Sequence, residues 1–223
     1  MAEQNLRERR DHRDLDGDDW TILVEAFRDL EGRGGYEPFV DAHDLLFNTG
    51  IHSMYFLPWH RDFLNDFETA LRKDGQYETA LPYWNWEQVP VVPTQLNGLR
   101  VDWGLNPPNV NRIDGLTYDS ARQKTDWLDF QDLMRGWPHG TVHAKIGGVM
   151  GRARSPRDPF FWMHHGYIDK VWAGWQTDPN HPDPSNMDDT MPLSPNTSRL
   201  VRDTVSIADL GYTYVEIGGM PMG

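Results

Sequence analysis

Apolar residues recur at helical spacing in several stretches of the chain. The most pronounced runs from Asp158 to Trp175, where Phe161, His165, Ile168, Trp172 and Trp175 follow at intervals of four, three, four and three. That is one face of an α-helix. Asp158 suits the N-cap and Pro159 the first helical position. His165 is the one polar member of the face, so the pattern turns its imidazole inward. Asp169 lies one turn further along.

The same reading predicts an amphipathic helix from Asp18 to Leu30, with Trp20, Leu23, Phe27 and Leu30 on one face and Gly32, Gly34 and Gly35 ending it. Pro38 opens a second helix in which Phe39, His43, Leu46 and Phe47 share a face, and Asn48-Thr49-Gly50 stops it. His52 follows on a loop. Pro58 opens a third helix striped by Trp59, Phe63, Phe67 and Leu71, with His60 in its first turn and Glu68 two turns on. Asp126 to Met134 reads as a short helix. Pro138 opens another, carrying His139 and His143 and ended by Gly147-Gly148.

Residues 1–17 are charged and read as surface, residues 80–87 as a rigid aromatic segment, and residues 88–125 as a long irregular excursion of the kind that covers sites. Residues 149–157 form a loop bearing Arg152, Arg154 and Arg157, and residues 177–197 are loop. Val201 to Tyr214 adds a short strand or turn. The predicted fold is mainly α: a four-helix bundle with long irregular loops, its ligands projecting from facing helices. Residues 1–223 read as a single domain, with no linker or repeat to divide them.

Charge and composition narrow the function. A net charge of −13 argues against a nucleic-acid partner, which needs a basic footprint. No apolar run is long enough to span a membrane. The absence of cysteine excludes disulfides, thiolate metal sites and a cysteine nucleophile. The N-terminus has no apolar secretory core, so a cytoplasmic protein is expected, with partner-assisted secretion as the alternative.

The chemistry sits in the histidines. Imidazoles four apart on a helix lie one turn apart on nearly the same face, so His139 and His143 can reach one metal. His165 on the next helix completes a trio. His43, His52 and His60 offer a second trio, from two helices and a loop. Six inward histidines out of nine make accident an improbable explanation. Of the others, His12 and His181 sit in polar surroundings and read as solvated. His164 is turned about 100° from His165 and reads as core or as support for the site. All-imidazole trios disfavour magnesium and calcium and suit copper, zinc, iron or nickel. Two such sites facing each other leave positions for a bridging ligand such as dioxygen.

These residues resemble the type 3 copper family of tyrosinases, catechol oxidases and haemocyanins. His43, His52 and the run FLPWHRDFLNDFE match its first copper signature; PHGTVH and DPFFWMHHGYIDKVW match its second. The resemblance runs from about Arg9 to Tyr214. It implies two copper ions, held by His43, His52 and His60 and by His139, His143 and His165. Dioxygen binds between them as peroxide and serves as co-substrate, and a small phenol is oxidised. It implies that Asp169 orients a ligand imidazole through its other nitrogen, that Phe161 packs on the ligands, and that Glu68 supports them. Gly140, Ala144, Arg135, Arg152 and Arg154 fall at the substrate pocket. Tyr212-Thr213-Tyr214 looks like the family's closing tyrosine motif, with Arg9 or Arg10 as its basic partner. Some members use a small copper-loading caddie protein or a C-terminal shielding domain; the sequence runs nine residues past Tyr214, and the expectation is that the latter is absent.

Three departures matter. His52 and His60 stand eight apart, one fewer than is usual in the family. No cysteine is present for a histidine–cysteine thioether, as in bacterial forms. Gly140 stands where members strong in monophenol hydroxylation carry Asn, and Arg135 stands where a helping Glu would lie, with Asp129 or Asp132 as the substitutes at hand. The resemblance therefore points to oxidation of o-diphenols, or o-aminophenols, to o-quinones over monophenol hydroxylation. A haemocyanin-like dioxygen carrier is the alternative. A zinc hydrolase would want Glu beside the first His of the pair, where this chain has Gly140.

Overall fold

The computed structural model describes residues 6–49, 51–192, 198–216 and 220–221. Its helices are α1 (Gly17–Gly32), α2 (Glu37–Thr49), α3 (Ile51–Met54), α4 (Phe56–Arg72), α5 (Asn97–Asp102), α6 (Asp119–Arg122), α7 (Trp127–Arg135), α8 (Trp137–Ile146) and α9 (Phe160–Trp175). Three short strands, β1 (Arg7–Arg9), β2 (Tyr212–Glu216) and β3 (Met220–Pro221), form one sheet in that order. The mainly helical architecture is as the periodicity requires, and helices α2, α4, α8 and α9 meet at their histidines.

Local chemistry sets the ends. The Asp16 carboxylate accepts from the amides of Asp18 and Asp19, and Asp19 returns the bond to Asp16, which closes a capping box on α1. Asp126 caps α7 through the amides of Leu128 and Asp129. Asp158 caps the start of α9 through the Phe160 amide at 3.1 Å, although the helix itself begins at Phe160. Gly147 ends α8 at φ 71°, where a side chain is disfavoured.

Helix α4 is the centre. Every residue from Phe56 to Glu68 is buried, including its polar flank. Its apolar stripe packs ring on ring: Phe67 stacks on Trp162 at 3.4 Å, and Phe63 on Trp59 at 4.4 Å. The polar flank is met residue by residue. Arg61 meets Asp169, Asp62 meets Arg199, Asn65 meets Arg7, and Glu68 meets Arg9. A helix can be buried all round only when its charges are paired in this way.

Much of that pairing comes from a region expected at the surface. Residues 6–10 run into β1, which pairs parallel with β2 in the register Arg7↔Tyr212, Glu8↔Thr213, Arg9↔Tyr214. Arg9 and Asp11 are fully buried and His12 nearly so, with its Nδ1 3.2 Å from Asp11. His12 is therefore not a solvated residue. Nor is His181, which stacks on Trp175 at 4.1 Å and 6° and sends Nδ1 to the Trp175 carbonyl. Residues 1–5 of the charged N-terminal stretch lie outside the described residues, as do Gly50 and residues 193–197 of the predicted loop.

Four smaller corrections follow. α4 begins at Phe56, two residues before Pro58, which sits within the first turn where its missing N–H costs nothing. His52 stands on the single-turn helix α3 and not on a loop. The excursion 88–125 contains α5 and α6. Phe47 is half exposed, while Phe39, His43 and Leu46 are buried as predicted. Among the described residues, no helix is long and apolar enough to cross a membrane.

Candidate metal centre

The first trio is assembled from three consecutive helices. His43 on α2, His52 on α3 and His60 on α4 are all buried, and each offers a ring nitrogen within 4.8 Å of the others. The His43 Nδ1 lies 2.6 Å from the Ala153 carbonyl, and the His60 Nδ1 lies 2.7 Å from the Phe56 carbonyl. A carbonyl only accepts, so Nδ1 carries the hydrogen in both rings and Nε2 presents its lone pair inward. The Nε2 atoms of His52 and His60 are buried without a hydrogen-bond partner.

Two members of the second trio follow the same rule, while the His165 Nδ1 is buried without a hydrogen-bond partner. His139 sends Nδ1 to the Arg135 carbonyl at 2.9 Å, and His143 sends it to the Met150 carbonyl at 2.7 Å. The His143 and His165 Nε2 atoms stand 3.1 Å apart. Two lone pairs at that distance repel unless a proton or a cation lies between them. Burial holds the six imidazoles below their ordinary pKa, with His52 and His143 lowered to about 4 and the others shifted well down. Near neutral pH they are uncharged bases with lone pairs converging on two points. Orphaned inward nitrogens and an all-imidazole donor set fit copper and do not fit magnesium or calcium.

His164 belongs to the second cluster by distance, since one of its nitrogens lies within the same 4.8 Å. Its chemistry differs. The Trp86 indole N–H, a donor only, points at the His164 Nδ1 from 3.2 Å. That nitrogen therefore holds a lone pair, and in the neutral ring the hydrogen sits on Nε2. The tautomer is opposite to that of His43, His60, His139 and His143, and the ring lies parallel to His139 with centroids 5.6 Å apart.

The two trios abut. His60 and His165 stack face to face at 4.3 Å and 11°. Phe161 packs on His165 at 4.1 Å and edge-on to His43 at 5.2 Å, the packing expected of it. Asp169 does something else. Its carboxylate takes the Arg61 Nε at 2.5 Å, the Tyr212 and Tyr214 hydroxyls at 2.6 and 2.7 Å, and the Arg9 Nη1 at 3.4 Å. Burial pushes its pKa up, but Arg61 and Arg9 outweigh burial and leave it below the ordinary carboxylate value. It accepts from no imidazole; backbone carbonyls orient His43, His60, His139 and His143 instead. The Arg9 guanidinium lies 3.6 Å from the Tyr212 ring centroid, so the tyrosine motif does find its basic partner. Glu68 is likewise committed, to Arg7, Arg9 and the Leu81 amide, and touches no histidine.

A cavity of about 180 Å³ opens onto the histidines, lined by His43, Phe47, His52, His139, Gly140 and His143 on one side and by residues of the 150–155 loop, Arg152 among them, on the other. Gly140 and Arg152 thus stand where expected. Ala144, Arg135 and Arg154 do not line it. Ala144 faces solvent, Arg135 bonds Asp132 and Ser53, and Arg154 is held by Glu37, Asp41 and Asp44. Asp129 and Asp132 pair with Lys124 and Arg135, outside the cavity. A larger cavity of about 530 Å³ lies around Arg122, Lys170 and His181, and no candidate ligand lines it. The carbonyls of Met150 and Ala153 were missed because a backbone acceptor leaves no mark in a sequence. Trp86 could have been suspected, since a buried indole seeks an acceptor.

The model of the common central domain of tyrosinase matches residues 33–115 and 90–178. A tyrosinase of Streptomyces glaucescens is 31% identical over 226 residues, covering 75% of this chain and 82% of that one. Among solved structures, a polyphenol oxidase variant from Thermothelomyces thermophila superposes with a TM-score of 0.72 at 20% identity, covering 95% of this chain and 89% of that one. A functional unit of octopus hemocyanin gives 0.71 at 19%, over 92% and 67%. At that identity the two structures speak to the fold alone.

Proposed function

The chain belongs to the tyrosinase family, the type 3 copper oxidoreductases, and on that premise we propose that it oxidises o-diphenols to o-quinones with dioxygen. The observation that carries this reading is the pair of abutting imidazole trios, with the Nε2 atoms of His52, His60 and His139 buried without a partner and those of His143 and His165 facing each other. His43, His52 and His60 would hold one copper, and His139, His143 and His165 the other. When bound, the copper pair supplies a site for dioxygen and a two-electron acceptor for the phenol.

The chain's own residues do the rest. Four backbone carbonyls hold the Nδ1 hydrogens, so those rings cannot turn their lone pairs away. The His60–His165 stack sets the spacing of the two trios, and Phe161 closes their inner side against water. Phe47 and Gly140 at the mouth offer an apolar wall and an open floor for a phenol ring. Gly140 has no side chain with which to hold a water against the phenol, and Asp129 and Asp132 are engaged elsewhere, so diphenol oxidation is favoured over monophenol hydroxylation. o-Aminophenols satisfy the same description. A small copper-loading partner of the caddie kind remains part of the reading. Cell fractionation should find the protein in the cytoplasm, or outside the cell where a partner assists its secretion.

Oxygen uptake tests the proposal. With two coppers loaded, 4-methylcatechol should consume one dioxygen for every two quinones formed, and tyramine should react slowly. Fast tyramine turnover would overturn the argument from Gly140. Reversible oxygen binding without quinone would make the protein a carrier.

A further inference from the structure

We propose that Arg152 recognises an anionic group on the substrate, and that the preferred o-diphenols carry a carboxylate. The inference rests on the phenol-oxidase reading and extends it to substrate class.

The loop between α8 and α9 carries three arginines, and two are already neutralised. Arg154 is held by Glu37, Asp41 and Asp44. Arg157 lies 2.7 Å from each Glu31 carboxylate oxygen. Arg152 is exposed and within 4 Å of no carboxylate among the described residues. In a chain of net charge −13, such a cation is conspicuous.

Its position gives the charge a use. Arg152 lines the copper cavity and also an adjoining groove of about 460 Å³ that continues past Arg100 and Asn106. It therefore stands where a substituent would leave the cavity if the ring lay against Phe47 and Gly140. Among the described residues, no carboxylate lines the cavity. Arg152 also sits between the two carbonyls that fix one imidazole of each trio, Met150 for His143 and Ala153 for His43. That anchoring makes the loop a rigid mount for its side chain. A guanidinium offers a carboxylate two parallel N–H bonds, stronger than neutral ones.

The test compares 3,4-dihydroxyphenylpropionate with its methyl ester, as a ratio of kcat/KM on the copper-loaded enzyme. The wild type should favour the acid by about tenfold, the equivalent of one charge-assisted hydrogen bond. The preference should shrink with added salt, since the site is open to solvent. Arg152→Ala should bring the ratio to about one, Arg152→Lys should keep part of it, and Arg154→Ala should leave it at the wild-type value. A second readout needs no turnover: by calorimetry, 3-phenylpropionate should bind the wild type more tightly than 3-phenylpropanamide, and Arg152→Ala should abolish the difference. A wild type indifferent to the carboxylate, or a preference that survives Arg152→Ala, overturns the proposal. If no catechol turns over, the phenol-oxidase reading fails, while the binding comparison still decides the role of Arg152.

Discussion

The indole N–H of Trp86 meets the Nδ1 of His164 at 3.2 Å, and this one contact separates a histidine that supports the centre from the three beside it that can ligate. Trp86 belongs to the aromatic segment before the long excursion, and His164 is one residue from His165. The segment thus selects a tautomer on α9.

Long-range proton–nitrogen NMR of the metal-free protein should find the His164 hydrogen on Nε2, and those of His43, His60, His139 and His143 on Nδ1. Trp86→Phe removes the donor and should let His164 populate both tautomers. A wild-type His164 already carrying its hydrogen on Nδ1 would refute the assignment.

Asp169 faces two buried guanidiniums and two phenols; Arg9 keeps Glu68, but Asp169→Asn leaves Arg61 without a counter-charge in the core. We expect a loss of about 3–5 kcal/mol in urea unfolding. The folded fraction should still take up two coppers, because Asp169 touches no imidazole. A variant of native stability that holds only one copper would restore the ligand-orienting role.

Asp62 gives a pH dependence with a definite sign. Burial, aided by Asp66 and opposed by Arg199, pushes its pKa up to about 7. An unfolded aspartate titrates near 4, at roughly 3.9. Between these values the folded protein keeps a proton that the unfolded chain releases, so this group lowers stability as pH rises from about 4 to about 7. Asp62→Asn should be more stable than the wild type at pH 8, by about 1–2 kcal/mol, with the gain fading toward pH 4. An equal offset at both ends would show that the carboxyl is not the source.

Gly147 and Gly148 both lie at positive φ, 71° and 58°, yet they differ in their surroundings. A Cβ on Gly147 would collide with the Asn109 side chain, whereas one on Gly148 meets nothing. Gly148→Ala should cost about 1 kcal/mol for its backbone conformation alone. Gly147→Ala should cost more and also weaken copper binding, through displacement of the Met150 carbonyl from His143. Equal effects of the two substitutions would exclude the steric contribution.

What could be read beforehand follows from how far apart the partners lie in sequence. His43, His60, His139, His143 and His165 declare themselves because a 3.6-residue period is local, and Pro38, Pro138 and Gly147 punctuate it. The stripe Trp59, Phe63, Phe67 and Leu71 was legible for the same reason, and all four are buried. The partners of Asp169 were not legible, because Arg9, Arg61 and Tyr214 reach it from 160, 108 and 45 residues away. Arg7 and Arg9 read as solvated because Glu68 on α4 and, for Arg9, the phenols of β2 answer them from far along the chain, which no local pattern announces. Arg152 and Arg154 look alike in a charge run; only the positions of Glu37, Asp41 and Asp44 tell them apart.

The parallel pairing of β1 with β2 orders events in time. All six ligand histidines lie within residues 43–165, but the phenols that complete the Asp169 cluster arrive only at 212 and 214, and the strand they join began at residue 7. A contact spanning about two hundred residues forms late, because so much chain must be brought together first. A nascent or truncated chain halted before residue 212 would own every metal ligand while Arg9 lacked the Tyr212 ring and the Tyr214 hydroxyl it packs against. Competence to bind copper and competence to fold are thus assigned to different stretches of one polypeptide, and the second is completed last.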